Sequence, residues 1–327
     1  MNPGKRIRAA VIGVGYLGRF HAEKYAALPE AELIGVADTA RDRALKVGRE
    51  VGAEAYTDYT ELFGKVDAVS IAVPTPLHYR VAKAFLETGA DVLIEKPITR
   101  TVAEADELID LAEKKGRIIQ VGHLERFNPA VKAVRDLVET PLFIECNRLS
   151  MYQPRGTDVS VVHDLMIHDI DLILNFVKSG LRYCHAMGAP VVTDKVDIAN
   201  AHLEFENMAV ANVTASRISS KSERKIRIFQ QDGYFSIDFA NRAITHIHPV
   251  DSVEQGEQCP VPGMRMDTRS FEKADALADE IRSFVMASAE RTLPEVSGRM
   301  GRDALAIAVS ITEQIDAAMQ RLKGDSA

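Results

Sequence analysis

Three groups of residues in this chain have the types and spacing to do chemistry. The first is Gly13, Gly15 and Gly18, at G-x-G-x-x-G spacing, with Asp38 20 residues beyond Gly18. Gly13 permits a tight turn, Gly15 lets a pyrophosphate approach the backbone, and Gly18 lets a helix lie close to a strand. The helix N-terminus that follows would turn free N–H groups toward the phosphates. An acid at Asp38 accepts hydrogen bonds from the adenine ribose hydroxyls. Tyr16 and Leu17 lie inside the same turn. A carboxylate repels a 2′-phosphate, so Asp38 favours NAD. Arg41 and Arg43 follow closely and soften that preference, which leaves NADP open.

The second group is Glu95-Lys96-Pro97. Pro97 fixes the turn and cannot donate to a sheet, so Lys96 is presented on a constrained backbone. A lysine in a desolvated cleft can take part in proton transfer; the alternative is an ordinary surface lysine in a strand–loop turn. The third group lies in Val161–Leu174, VVHDLMIHDIDLIL. On a helix Asp164 and His168 share one face, beside an apolar stripe of Leu165, Leu172 and Phe176. A carboxylate and an imidazole converging on a cleft suit hydride chemistry on an alcohol. Two other readings stay open. His163, Asp164, His168, Asp169 and Asp171 have the donor types of a metal cluster, or they are capping and surface polars.

These residues need a scaffold, and the patterning supplies one. Strand and helix patterns alternate over the first 122 residues, the signature of a doubly wound parallel sheet. Arg8–Ile12 and Leu33–Ala37 are strands around the glycine turn. Ala68–Val73 (AVSIAV) is an apolar run but for Ser70 and reads as a central strand. Pro74 to His78 (PTPLH) stops it at its carboxyl end, where ligands bind in open α/β sheets. Asp91–Ile94 delivers Glu95, Lys96 and Pro97. Thr101 and Glu104 form a capping box for a helix that Gly116 ends. Ile118–Val121 leads to Gly122-His123. Beyond Pro129 a helix spans Ala130–Val138, a strand Phe143–Ser150 and a helix Val162–Val177. From Asp197 apolar and polar residues alternate through Val210, Val213, Ala215, Ile226, Ile228, Phe235, Ile237, Phe239, Ile244 and Ile247, and Gly233 marks a hairpin. This predicts a large, open, mostly antiparallel sheet. Ser252–Arg269 is expected to be a loop, and Phe271–Ala289 and Asp303–Leu322 helices.

Composition narrows the function classes. The chain has 327 residues, 46% hydrophobic, enough for two domains with cores. Charges of 40 basic and 47 acidic, a net of −7, argue against nucleic acid as a partner. Cys146, Cys184 and Cys259 form no C-x-x-C pair and suggest neither a disulfide framework nor a zinc site. The short polar start, Met1 to Arg8, does not resemble a signal peptide, and no apolar run approaches the ~20 residues of a membrane helix. The expectation is a soluble cytoplasmic protein with no membrane partner.

GVGYLG with His21, VPTPLH, EKP and the D-L-M-I-H helix, in that order, resemble the glucose–fructose oxidoreductase/inositol dehydrogenase/MocA (Gfo/Idh/MocA) family. Each motif is weak alone; the ordered set, from Ile7 to about Phe176, is specific. The resemblance implies an α/β fold: a Rossmann domain over residues 1–122, then an α+β domain over 123–327. Its last helix, about 303–322, would return to the first domain. It implies bound NAD or NADP, and no metal ligand is assigned. Lys96 would be the catalytic lysine, and Asp164 and His168 the substrate-facing pair, with His168 the general base. Val73, Pro74, Thr75 and His78, with Glu95, Lys96 and Pro97, would border the nicotinamide side. Gly122, His123, Arg126 and Asn128 would line the substrate passage between domains.

VGHLERFNPA, HDLMIHDIDLIL and SRISSKSERKIRIFQQDGYFSIDF look most like the nucleotide-sugar branch of that family. Within it the likeness is greatest to those that oxidise the 3-hydroxyl of UDP-N-acetylglucosamine with NAD in lipid A precursor synthesis, which implies that reaction here, with an aminotransferase then taking the ketone. The basic run Arg217, Lys221, Arg224, Lys225 and Arg227 would meet the diphosphate, or else simply solvate a sheet face. The rivals are a dehydrogenase of another sugar, cyclitol or keto-sugar, and a non-catalytic NAD(P)-binding regulator. The antiparallel sheet is expected to pair with a second copy, as homodimer or homotetramer.

Overall fold

The computed structural model describes residues 6–153, 159–250 and 262–324. Contacts divide the chain into two units, Met1–Phe127 with Asp275–Leu305, and Asn128–Ala274 with Ala306–Ala327. The segment Asp275–Leu305, expected in the second domain, therefore clusters with the first. The last helix contributes to the first unit through Leu305 and to the second from Ala306.

In the first unit, strands and helices alternate: β1 Ile7–Ile12, α1 Tyr16–Ala27, β2 Ala31–Ala37, α2 Arg41–Val51, β3 Glu54–Tyr56, β4 Ala68–Ile71, α3 His78–Glu87, β5 Asp91–Glu95, α4 Val102–Lys115 and β6 Ile119–Gly122. The sheet is parallel, in the order β3-β2-β1-β4-β5-β6. The chain winds outward from β1 through β2 to β3, then crosses back to β4 on the other side of β1. That reversal creates the crevice in which open α/β sheets bind ligands. β4 is buried along its whole length, and its one polar residue, Ser70, is partnered there by the Tyr25 hydroxyl at 3.0 Å. Thr101 accepts from the Glu104 N–H while the Glu104 side chain accepts from the Thr101 N–H, and Gly116 ends α4 in the left-handed conformation. The unit is completed by α7, Ala276–Glu290, and the start of α8, Gly298–Gly324. Ile281, Phe284 and Val285 of α7 share one core with Ala9, Val11 and Tyr25.

The second unit holds α5 Pro129–Arg135, β7 Phe143–Leu149, α6 Ile167–Val177, β8 Leu181–Ala189, β9 Ile198–Phe205, β10 Val210–Ser216, β11 Glu223–Gln230, β12 Gly233–Asp238, β13 Ala243–Pro249 and β14 Met264–Ser270. Its sheet runs β14-β13-β12-β11-β7-β10-β9-β8, antiparallel at every pairing except β7 with β10. Burial alternates along β7, β9 and β10, so one face is covered and the other is half-exposed.

Several elements differ from the sequence reading. Met264–Ser270 is an edge strand rather than part of a loop; 251–261 lie outside the described residues. β8 carries no clean alternation, which is why the sequence did not announce it. α7 starts at Ala276, where the Asp275 side chain accepts from the Ala278 N–H at 3.0 Å, not at Phe271. The expected helix Val162–Val177 is a π turn over Val162–Met166 followed by α6.

Candidate active site

Because the first sheet is parallel, the turns after its strands open on one edge. The sequence-predicted residues of the first unit lie in those turns or in the first turn of the helix that follows: Gly13, Gly15, Tyr16, Leu17 and Gly18 after β1, Asp38 after β2, and Val73, Pro74, Thr75 and His78 after β4. Glu95, Lys96 and Pro97 end β5, and His123 and Arg126 follow β6.

The glycines are required by space. Gly13 has φ +83°, and a Cβ on Gly18 would stand 1.8 Å from the Gly13 carbonyl oxygen. A Cβ on Gly15 would meet nothing within 4 Å, so that side of the turn is open. Gly15 caps α1 without any side-chain hydrogen bond, and the first turn holds no acid. Its free N–H groups form the positive end of a helix dipole. An open backbone beside bare helix N–H groups fits the pyrophosphate of a dinucleotide. Tyr16 and Leu17 are exposed on the first turn of that helix.

Asp38 is buried, and its carboxylate accepts N–H groups from Val14 at 3.0 Å and Ala40 at 2.9 Å. Arg43 pairs with it at 3.1 Å, which brings a cation to the group that discriminates against a 2′-phosphate. His78 ties two turns together, with Nδ1 2.9 Å from the Pro97 carbonyl and Nε2 2.9 Å from the Val73 carbonyl. Burial lowers its pKa below the ordinary histidine value. The two carbonyls act in the opposite sense, because each accepts and the ring can donate to both only when protonated.

Glu95 accepts from His21 Nε2 at 2.9 Å and from the Lys96 N–H at 3.3 Å. Burial pushes its carboxyl up, but the His21 hydrogen bond and the positive charges of His21 and Lys96 outweigh that and hold it below the usual range. The Lys96–Pro97 peptide is cis. His123 and Arg126 are buried.

The second unit carries Asn128, Asp164 and His168. Asn128 caps α5, accepting from the Ala130 N–H at 3.0 Å. The π turn carries His163 and Asp164, and His168 stands in the first turn of α6. The four-residue step from Asp164 to His168 thus crosses from a widened turn into regular helix. Such π turns concentrate at functional sites. Leu165, placed in an apolar stripe by the sequence, is only half-buried, whereas Leu172 and Phe176 are fully buried.

Two of the five candidate metal donors of this helix have other partners. His163 Nε2 is 3.2 Å from the Thr312 hydroxyl, and Asp169 forms a buried two-point pair with Arg148 at 2.8 and 2.9 Å. Among the described residues, the three-residue group with ligand atoms within 4.8 Å is His21, Glu95 and Glu280.

The basic run does not form one patch. Arg217 is buried 3.8 Å from Asp197, Lys221 pairs with Glu223 at 2.6 Å, and Arg227 pairs with Glu145 across the half-exposed face. Burial raises the Cys146 and Cys184 thiols above their ordinary pKa, which makes them poor nucleophiles. Cys259 lies outside the described residues. No helix among the described residues is long and apolar enough to cross a membrane.

The sequence reading missed Glu280 and gave His21 no role. Glu280 does leave a trace: it falls on the buried stripe of α7 with Ile281, Phe284, Val285 and Ser288, where an unpaired acid would be costly.

Residues 7–123 match a family model described as an oxidoreductase family with an NAD-binding Rossmann fold. Residues 147–236 match the GFO/IDH/MocA C-terminal domain. The UDP-N-acetylglucosamine 3-dehydrogenase of Acidithiobacillus ferrooxidans is 39% identical over 316 residues, 96% of this chain and 99% of that one. Its solved structure matches with a TM-score of 0.90, at 39% identity and over the same shares of both chains. The myo-inositol 2-dehydrogenase of Thermotoga maritima is 26% identical over 95% of this chain and 96% of its own. A levoglucosan dehydrogenase solved with NADH and levoglucosan shares the fold, with a TM-score of 0.84 at 19% identity, covering 96% of this chain and 98% of that one.

Proposed function

The chain belongs to the Gfo/Idh/MocA family of NAD-binding oxidoreductases, and on that premise we propose that it oxidises the 3-hydroxyl of UDP-N-acetylglucosamine with NAD. The observation that carries the substrate is the 39% identity to a UDP-N-acetylglucosamine 3-dehydrogenase over almost the whole of both chains. NAD, when bound, supplies the hydride acceptor. Gly13, Gly15 and Gly18 give its pyrophosphate a backbone to lie against, and Asp38 takes the ribose hydroxyls. Val73, Pro74, Thr75, His78, Glu95 and Pro97 border the nicotinamide side.

As the carbon–hydrogen bond gives up its hydride, the hydroxyl proton must leave for a ketone to form. His168 accepts that proton at an imidazole nitrogen, Lys96 polarises the hydroxyl oxygen, and Asp164 holds neighbouring hydroxyls. His123, Arg126 and Asn128 are assigned to substrate contact. The product is a ketone suited to an aminotransferase, which makes such an enzyme the downstream partner in lipid A precursor synthesis. The half-exposed sheet face, with Phe143, Phe229 and Tyr234 in ring contact beside Glu145 and Arg227, is assigned to pairing with a second copy, as dimer or tetramer. Three widely spaced cysteines that suggest no disulfide framework fit a reducing, cytoplasmic setting.

The test is NADH formation, followed by absorbance, with UDP-N-acetylglucosamine as substrate. Glutamate and an aminotransferase draw off the ketone, and a parallel reaction uses NADP. NADH growth with NAD is the expected result. No growth in a chain shown separately to bind NAD would sink the substrate assignment and redirect it to free sugars and cyclitols.

A further inference from the structure

We propose that the cleft beneath the α7–α8 connection of the first unit is a second ligand site. Its ligand class is a small amphiphilic anion, an apolar body with a carboxylate, sulfonate or phosphate head. The inference goes beyond the dehydrogenase reading and does not rest on it.

The cleft has a volume of about 630 Å³, within the range of small-molecule sites. All of its walls belong to the first unit. α4 supplies Ile109, the chain entering β6 supplies Arg117 and Ile119, and the connection from α7 to α8 supplies Arg291 and Leu293. β6 begins at Ile119, so the cleft lies at the amino end of that strand, away from the turns that frame the proposed cofactor site. These walls are fixed. The Val121 N–H donates to the Val296 carbonyl at 3.0 Å, which ties the connection to β6. A Cβ on Gly298 would come within 3.2 Å of Ile119, so α8 starts hard against the same strand.

Two features define the ligand. The first is apolar surface that a pinned chain leaves in water: Leu293 is 91% exposed and Met300 41% exposed, over a cleft that Ile109 and Ile119 also line. A single exposed leucine is ordinary, but one standing at the mouth of an apolar cleft marks a place to bind. The second is charge. The ionisable residues of the lining are Arg117, Arg291, Arg299 and Glu113, in a chain whose net charge is −7. Arg291 is held by the buried Asp91, and Arg299 by Glu113. Arg117 pairs with no acid among the described residues: its Nε donates to the Lys115 carbonyl at 3.3 Å and its Nη1 to the Gly89 carbonyl at 2.9 Å. A guanidinium has five N–H donors. Arg117 therefore keeps donors for an oxyanion, in the planar fork that suits one. An apolar floor with a surplus guanidinium among its walls matches a single molecule that has both characters.

The probe is 8-anilinonaphthalene-1-sulfonate, an aromatic sulfonate whose fluorescence rises when it leaves water. It is titrated into the full chain with NAD in excess, so that the cofactor site is filled. A saturable site is expected. Arg117→Gln should weaken it about tenfold, through loss of the charged hydrogen bonds. Leu293→Ser should weaken it about three- to tenfold, through loss of apolar contact. Arg117→Met repeats the first test should Arg117→Gln not fold. No saturable binding to the NAD-loaded chain overturns the site, as does binding that neither substitution moves. Weakening by Leu293→Ser alone overturns the anion, and weakening by Arg117→Gln alone overturns the apolar body. A chain that fails to bind NAD strikes the cofactor placement and leaves this test intact, because the two substitutions locate the probe without it.

Discussion

In the first unit, Asp38 and His78 are steadied largely by backbone groups of the turns they serve, the Val14 and Ala40 N–H and the Val73 and Pro97 carbonyls, while Glu95 has the His21 side chain beside the Lys96 N–H. In the second unit, the helix carrying His168 is pinned by a side-chain pair, Arg148 with Asp169. The segment ahead of it is pinned by the buried Arg217, which donates to the Val159 carbonyl and stands beside Asp197. The first site leans mainly on turns, with the buried His21–Glu95 contact as its exception, and the second on buried charges. Turn geometry is written in local sequence and tolerates side-chain loss. Buried charge pairs are non-local and fail when one member goes.

The sharpest way to break that comparison is Arg148→Met. It leaves Asp169 buried without its guanidinium, and a loss of about 3–5 kcal/mol is expected in chemical unfolding. Replacing both residues with apolar ones should restore most of it. A cost below 1 kcal/mol for the single change would refute the contrast. Next comes Lys96→Ala, which removes a side chain but no turn. NAD affinity should hold within about threefold while turnover falls ~10²-fold or more; near-native turnover would take Lys96 out of the mechanism.

The smallest effect is one of pH. Burial works against the Asp197 carboxylate, but N–H groups of Val191, Val192 and Thr193 and the Thr193 hydroxyl bring its pKa down from 3.8 to about 2. A depressed pKa contributes stability that is present above the unfolded value and lost as pH falls through the folded one, here between about pH 4 and 2. The contribution is roughly 2 kcal/mol. Thermal unfolding of native chain and Asp197→Asn should converge toward pH 2 and differ at pH 6; parallel curves would show that the carboxylate's charge does not matter.

Legibility follows the same divide. Thr101 and Glu104 announced their capping box, and Gly13, Gly15, Gly18 and Asp38 their turn, because each pattern is complete within a few residues or one βαβ unit. The two-domain α/β plan, with a parallel sheet and then a mostly antiparallel one, came from periodicity. β8 and β14 escaped it because they lie at sheet edges, where burial does not sort one face from the other. The π turn at Val162–Met166 escaped because one widened turn leaves no mark in a 3.6-residue period. Glu280 escaped because its partners lie nowhere near it in the chain.

The split construction of the first unit also bears on how the protein is made. A ribosome that has released Phe127 has released every strand of the parallel sheet, but not Ile281, Phe284 and Val285, which complete the core around Ala9, Val11 and Tyr25. At ~5–20 residues per second, that apolar face waits roughly ten to thirty seconds for its cover. During that interval the nascent chain depends on chaperones or on the intervening segment, and a fragment cut at Phe127 would carry the same bare face permanently.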